Sequence, residues 1–264
     1  MFLSALTRLG RVRVTLGYTA ALVAVATALL LLGPHVREQV IRHASTNLRN
    51  LGDGRVGTLI GSAFVNEAGP IYVWLPGLMA LLALAELLWR SRRLVVAFAI
   101  GHVGATLVVA AGMAAAVGVG LLSVSIVDVT DVGMSYGALA VLGTLTAAIP
   151  RPWRAVWTGW WLAVAIGSAA SSQGDFTNVG HAIALVIGML VGARFGHPAH
   201  WTTARYGLLA VAAAFGYMIM AYTPLSLVVT STLGVVGAAT AYRITRWRTA
   251  RRALEAAPLP EPAV

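Results

Sequence analysis

The chain has 264 residues, is 58% hydrophobic and only 11% charged, and has a mean hydropathy of +0.80, a composition that excludes an ordinary soluble domain and reads as a polytopic membrane protein. Its formal charge of +10 comes with no Lys and no Cys, which excludes lysine Schiff-base chemistry, thiolate nucleophiles, disulfides and thiolate metal sites. The arginines cluster between apolar runs, so the positive charge reads as membrane topology and not as nucleic-acid binding.

Eight hydrophobic segments follow one another, at about 15–33, 71–89, 94–120, 133–150, 153–170, 177–193, 206–222 and 225–242. Most approach the ~20 residues a spanning helix needs, and the shorter ones suit helices buried inside a bundle. Arg8, Arg11 and Arg13 precede the first segment and no small-x-small cleavage site follows it, so it is expected to be retained as a helix. With the N-terminus inside, only Arg37, Arg42, Arg49 and Arg55 fall outside, and every other arginine falls in an inner connection. The positive-inside rule then places both termini in the cytoplasm and the chain in the plasma (inner) membrane as a multi-pass protein.

The first outer loop, 34–70, is the only long connection. Leu48, Leu51, Val56, Leu59, Ile60 and Phe64 alternate there with Arg49, Asp53 and Arg55, a pattern that fits short interfacial helices or a solvated loop. Past Arg252, a tail containing Pro258, Pro260 and Pro262 has too few apolar residues to fold and is expected to be disordered. The segments divide the chain into a six-helix core over 1–200, two further helices over 201–243, and a basic, then disordered tail over 244–264. The fold class is therefore all-α, a membrane bundle of about eight helices.

Gly133-Met134-Ser135-Tyr136-Gly137 opens the fourth segment and sets a lone serine between glycines. The fourth and sixth segments both run from outside to inside, and Ser135 and His181 each lie within about a turn of the outer end. At 1.5 Å rise per residue the two side chains share one depth. A serine hydroxyl is a weak nucleophile until a base takes its proton, and histidine has the pKa for that work. The flanking glycines permit close backbone approach, and the free N–H groups at the helix start can face an oxyanion. G-x-S-x-G also marks the α/β-hydrolase elbow, but that needs a preceding strand in a soluble sheet, and hydrophobic segments on both sides exclude it.

These residues resemble the rhomboid family of intramembrane serine proteases. The resemblance rests on Gly133–Gly137, on Asn178-Val-Gly180-His181 followed by Gly188 and Gly192, on the long first outer loop and on Glu86-x3-Arg90. It implies a six-helix core, with Ser135 as nucleophile heading the fourth helix and His181 as base in the sixth. The sequence departs from the family where Tyr136 replaces the second glycine of G-x-S-G. It departs again where Pro70 and Trp74 fall at the positions of a His and an Asn that help hold the oxyanion. Gly133, Asn66 and Asn178 are the supporting candidates that remain.

Elsewhere, His102 and Glu86 lie near one depth and are expected to satisfy each other as a structural contact. His197 and His200 read as loop residues, and no metal or other cofactor is implied. Asp128, Asp131 and Asp175 border the outer face, where one of them could orient His181. The last two segments are expected to be an appendage that contributes nothing to the site. The leading function is a protease that cuts single-span membrane proteins near the outer face. An inactive rhomboid-like protein that binds membrane partners is the alternative. A small-molecule transporter would need more ionisable residues near the midplane than Glu86 and His102. Expected partners are single-span proteins and membrane lipid, not nucleic acid.

Overall fold

A computed structural model describes residues 10–67, 69, 71–171, 175–198 and 200–255. Pro70 and the tail 256–264, expected to be disordered, lie outside the described residues. The described chain is all helical, with no strand. A 3-10 turn leads into α1 (Arg13–Leu32); α2 (Pro34–Ala44), α3 (Leu48–Gly52) and α4 (Thr58–Gly61) form the first long connection. Then come α5 (Ile71–Gly118), α6 (Ser135–Thr144), α7 (Arg151–Ala170), α8 (Phe176–Gly192), α9 (Thr203–Met220) and α10 (Pro224–Glu255).

All eight hydrophobic segments fall on helix. The second and third are the two arms of α5, which breaks at Arg90, where φ 67° and ψ 164° are not helical. Among the described residues, four helices are long and apolar enough to cross a membrane: Gly10–Leu32, the 48-residue α5, α9 and Pro224–Arg252. The protein is thus a multi-pass membrane bundle. Ser135–Ala147 and α8 are apolar but shorter. In α6 the shortness has a cause: every residue from Tyr136 to Thr144 is buried, so the helix is surrounded by protein and has no lipid-facing side to match to the bilayer.

Connections alternate between the two ends of the bundle, as the arginine pattern requires. Arg93 Nη1 donates to the Phe195 carbonyl at 2.7 Å, Arg154 Nη2 to Ala147 at 2.9 Å and Arg205 Nη2 to Leu87 at 3.1 Å. The arginine-rich turns therefore gather at one end, and residues 34–67, 123–134 and the start of α8 gather at the other. Last in order, α9 packs along the first arm of α5, with Phe215 over Gly77, and α10 lies on α7 where Gly159 and Gly237 meet. Neither separates α6 from α8.

Two expectations need correction. The final helix runs on through the basic segment to Glu255, because Arg, Ala and Leu are strong helix formers and no Gly or Pro intervenes after Gly237. Glu86 and His102, moreover, do not pair. The Glu86 carboxylate caps the start of α1, accepting from the Val14 amide (3.0 Å), the Thr15 amide (2.9 Å) and hydroxyl (2.8 Å), and Ser91 Oγ (2.6 Å). Helix-start amides have no intrahelical acceptor, and in an apolar bundle a carboxylate satisfies several at once while opposing the positive end of the dipole. His102 instead meets Ser62, at 3.0 Å between Nε2 and Oγ. The long connection therefore dips into the bundle, and Tyr18 Oη fixes it there by donating to the Ala63 carbonyl at 2.6 Å.

Glu86→Ala leaves the Val14 and Thr15 donors buried and unpaired. We expect it to destabilise the protein by ~2–4 kcal/mol in a detergent denaturation series, with Glu86→Gln losing less because one acceptor oxygen remains.

Candidate active site

The site begins with how closely α6 and α8 approach. A Cβ on Gly188 would collide with the Ala140 carbonyl, and one on Gly143 with that of Leu185; at Gly192 it would meet the Thr144 Cα at 2.7 Å. Only glycine allows backbone to lie on backbone in this way, which is the small-residue route to tight helix packing in membranes. Both helices run in the same direction from the same end of the bundle, so their first turns meet. Ser135 opens α6 and His181 lies in the second turn of α8. Ser135 Oγ and His181 Nε2 are 2.9 Å apart.

That distance fixes the tautomer if the hydroxyl donates: Nε2 must be bare and the proton must sit on Nδ1. His181 is 5% exposed, and Nδ1 has no hydrogen-bond partner among the described residues. None of the three aspartates orients it. Asp128 pairs with Arg49, with Oδ2 2.7 Å from Nη2. Asp131 accepts from Thr46 Oγ1 at 3.3 Å, and Asp175 caps α8 through the Thr177 amide at 2.8 Å. Tyr136 packs on the ring at nearly a right angle, with centroids 5.4 Å apart and planes at 81°. Gly180 leaves the room, since a side chain there would occupy the Tyr136 ring. The residue that departs from G-x-S-G is thus the one that packs on the imidazole.

The supporting candidates fare differently. Gly133 has φ 134°, a conformation other residues avoid, and its N–H is committed to the Ser62 carbonyl at 2.9 Å. It shapes the turn into Ser135 and donates nothing to the site. Asn178 Nδ2 is directed at Tyr222 Oη, 3.4 Å away, which engages one of its two N–H groups. Asn66 sits beside Gly133 and donates to the Gly69 carbonyl at 3.2 Å. In α6 the first amide to bond back is Ala138, to Met134 at 2.9 Å, so the amides of Ser135, Tyr136 and Gly137 have no i−4 partner and lie next to the hydroxyl.

A cavity of about 320 Å³ opens over the pair, with Trp74, Asn66, Met134 and Asn178 in its walls. Its remaining wall corrects the expectation that the last two helices stay out of the site: Met218, Ile219 and Tyr222, from α9 and the turn after it, line the cavity. Sequence reasoning missed them because a tyrosine at the end of an apolar segment looks like an interfacial anchor. It missed Ser62 as well, for nothing in a loop sequence marks a serine whose hydroxyl meets His102 while its carbonyl holds Gly133.

Residues 11–194, which run from the turn before α1 to just past α8, match the family model described as "Rhomboid-like protein". The chain belongs to that rhomboid-like family. Searches of curated proteins and of solved structures found no match. Tyr222 and its neighbours lie beyond the matched region.

In the connection before α6, burial pushes Asp131 up to about 6, against the hydrogen bond from Thr46 and with the help of the Asp175 charge. A carboxyl whose pKa is higher folded than unfolded stabilises the fold fully below about pH 4 and loses that contribution as pH rises through about 6. Thermal unfolding of the wild type should therefore lose stability across this window relative to Asp131→Asn, in which the dependence is removed.

Proposed function

We propose that this rhomboid-like protein is an intramembrane serine endopeptidase in which Ser135 is the nucleophile and His181 its general base. The observation that carries the reading is the 2.9 Å contact between Oγ and Nε2 beneath a cavity that can admit a peptide segment. Ser135 Oγ adds to the scissile carbonyl carbon as its proton passes to Nε2. The tetrahedral oxyanion faces the amides that open α6, with Asn66 beside them. Collapse expels the amine, which takes the proton from Nε2 and leaves an acyl-serine. Water then attacks the ester with His181 again as base, and Ser135 is regenerated. The substrates are single-span membrane proteins. The 34–70 side is the outer face of the plasma membrane, a placement supported by the arginine distribution.

A catalytically inactive, partner-binding protein is the second reading. Trp74 stands where the family resemblance would place an asparagine, and the Gly133 N–H and one of the two Asn178 N–H groups are engaged elsewhere. One missing oxyanion donor costs ~10²–10³ in rate, which is compatible with a slow enzyme and equally with none.

A serine-directed fluorophosphonate should label the wild type and not Ser135→Ala. Ser135→Ala and His181→Ala should each lower cleavage of a single-span substrate by ~10³-fold or more, and the double variant should lose no more, since the pair acts as one unit. Undiminished cleavage in Ser135→Ala would sink the mechanism. For orientation, a cysteine introduced in place of Val56 should react with an impermeant thiol reagent added outside intact cells, and one in place of Pro152 should not. The opposite pattern would put the cavity at the inner face.

A further inference from the structure

A second cleft lies at the arginine-rich end of the bundle, away from Ser135. Pro150, Trp153, Trp157 and Trp160 from the start of α7, Tyr206 of α9 and Ala238 of α10 line a space of about 480 Å³, a volume in the range of ligand sites. Two of its three walls, α9 and α10, lie outside the family-matched stretch 11–194. Trp153 and Tyr206 are 63% and 50% exposed, so the cleft sits at the edge of the bundle. An aromatic cleft of this kind could cage a cation, but the surrounding charge has the wrong sign. At this end the described carboxylates are Glu86 and Glu255. Glu86 is occupied at the start of α1, and Glu255 pairs with Arg251.

Helix register sets which arginines stand at the mouth. Gly159 meets Gly237 and Gly167 meets Thr230, so α7 and α10 are antiparallel. Eight residues back from Gly159 is Arg151, and eight on from Gly237 is Thr245. Since both helices rise equally per residue, Arg151 is level with Thr245 and its neighbour Arg246. Ala238, Tyr242 and Arg246 follow one another at the four-residue spacing that keeps side chains adjacent, and Arg246 lies over the Tyr242 ring at 5.8 Å. Neither Arg151 nor Arg246 has a carboxylate partner among the described residues. Arg154 and Arg205 differ, because their guanidiniums are held by the Ala147 and Leu87 carbonyls. We propose that this cleft binds an anionic phospholipid of the adjoining leaflet. Its phosphate lies between Arg151 and Arg246, and one acyl chain lies against the three tryptophans. A phospholipid is the occupant that matches both halves of the site, two unpaired cations at the level of the headgroups and an aromatic cleft behind them. The site is independent of the chemistry at Ser135.

The tryptophans themselves report occupancy. The full chain is reconstituted in phosphatidylcholine vesicles in which a minor fraction of the lipid is dibrominated phosphatidylglycerol or dibrominated phosphatidylcholine, whose bromines quench tryptophan fluorescence on contact. The brominated phosphatidylglycerol should quench at a ~10-fold or more lower mole fraction, since each arginine near the surface favours an anionic lipid about five-fold. Trp153→Phe should remove a large share of the difference between the two lipids. The double variant Arg151→Gln/Arg246→Gln should abolish the preference, whereas Arg92→Gln/Arg93→Gln, which removes the same charge at the break in α5, should keep it. Ala238→Phe, which fills the cleft, should reduce quenching by both lipids, and the charge variants test the site whether or not that variant folds. Equal quenching by the two lipids overturns the proposal. So does a preference lost equally in both charge variants, which would mean only the general charge of that end, or one unaffected by Trp153→Phe, which would place the lipid elsewhere. Relief of the quenching by millimolar inorganic phosphate at constant ionic strength would make this a site for a free anion and overturn the lipid as its occupant.

Discussion

The approach of α6 to α8 is the constraint on which the rest of the molecule depends. In lipid there is no hydrophobic force to drive two apolar helices together, so they associate through close packing and through polar contacts. Gly143, Gly188 and Gly192 remove the side chains that would hold the backbones apart. Once the two axes are this close and run in the same direction, the first turns meet and Ser135 reaches His181 at 2.9 Å. The surrounding helices form a jacket that keeps α6 free of lipid along its whole length.

A second set of constraints comes from polar groups that have nowhere else to go. Glu86 accepts four hydrogen bonds at the start of α1. His102 draws Ser62 into the bundle, and through its carbonyl Ser62 holds the amide of Gly133, two residues before the nucleophile candidate. Ser45 and Thr46 bind the backbone and carboxylate of Asp131 from the same connection. The long loop between α1 and α5 is thus tied at several points to the segment that leads into Ser135. Each tie satisfies a polar group whose burial without a partner would cost ~1–3 kcal/mol. Rigid entry of the chain into α6 follows from those ties.

The site itself combines parts of different origin. Its serine, its histidine and the tyrosine packed on the imidazole lie inside the region that carries the family match, 11–194. One wall of the cavity lies outside that region, in α9 and the turn that follows. The helices beyond the matched region therefore do more than lengthen the bundle: they supply one wall of the cavity. Their own attachment uses the same physics as the core, Phe215 over Gly77 and Gly159 against Gly237.

Much of this was legible in the sequence, because the bilayer imposes one-dimensional rules. Apolar length marks each helix, arginine placement orders the connections, and two polar residues at matching depth on helices of matching direction suggest a pair. Those rules marked apolar segments that fall on helix, and they set Ser135 and His181 at one depth, where the two side chains lie 2.9 Å apart. They could not tell which polar residues would share a partner. Equal depth suggested Glu86 with His102, yet rotation about the helix axes turned Glu86 to α1 and His102 to Ser62. Nor could they show that Gly133 would give its N–H to Ser62 and Asn178 one of its two to Tyr222, or that α9 would lie along α5 and bring Tyr222 to the cavity. Helix periodicity gives depth and face, whereas azimuth and neighbour are fixed only when side chains from distant segments compete for the same space and the same hydrogen bonds. That competition is settled in three dimensions.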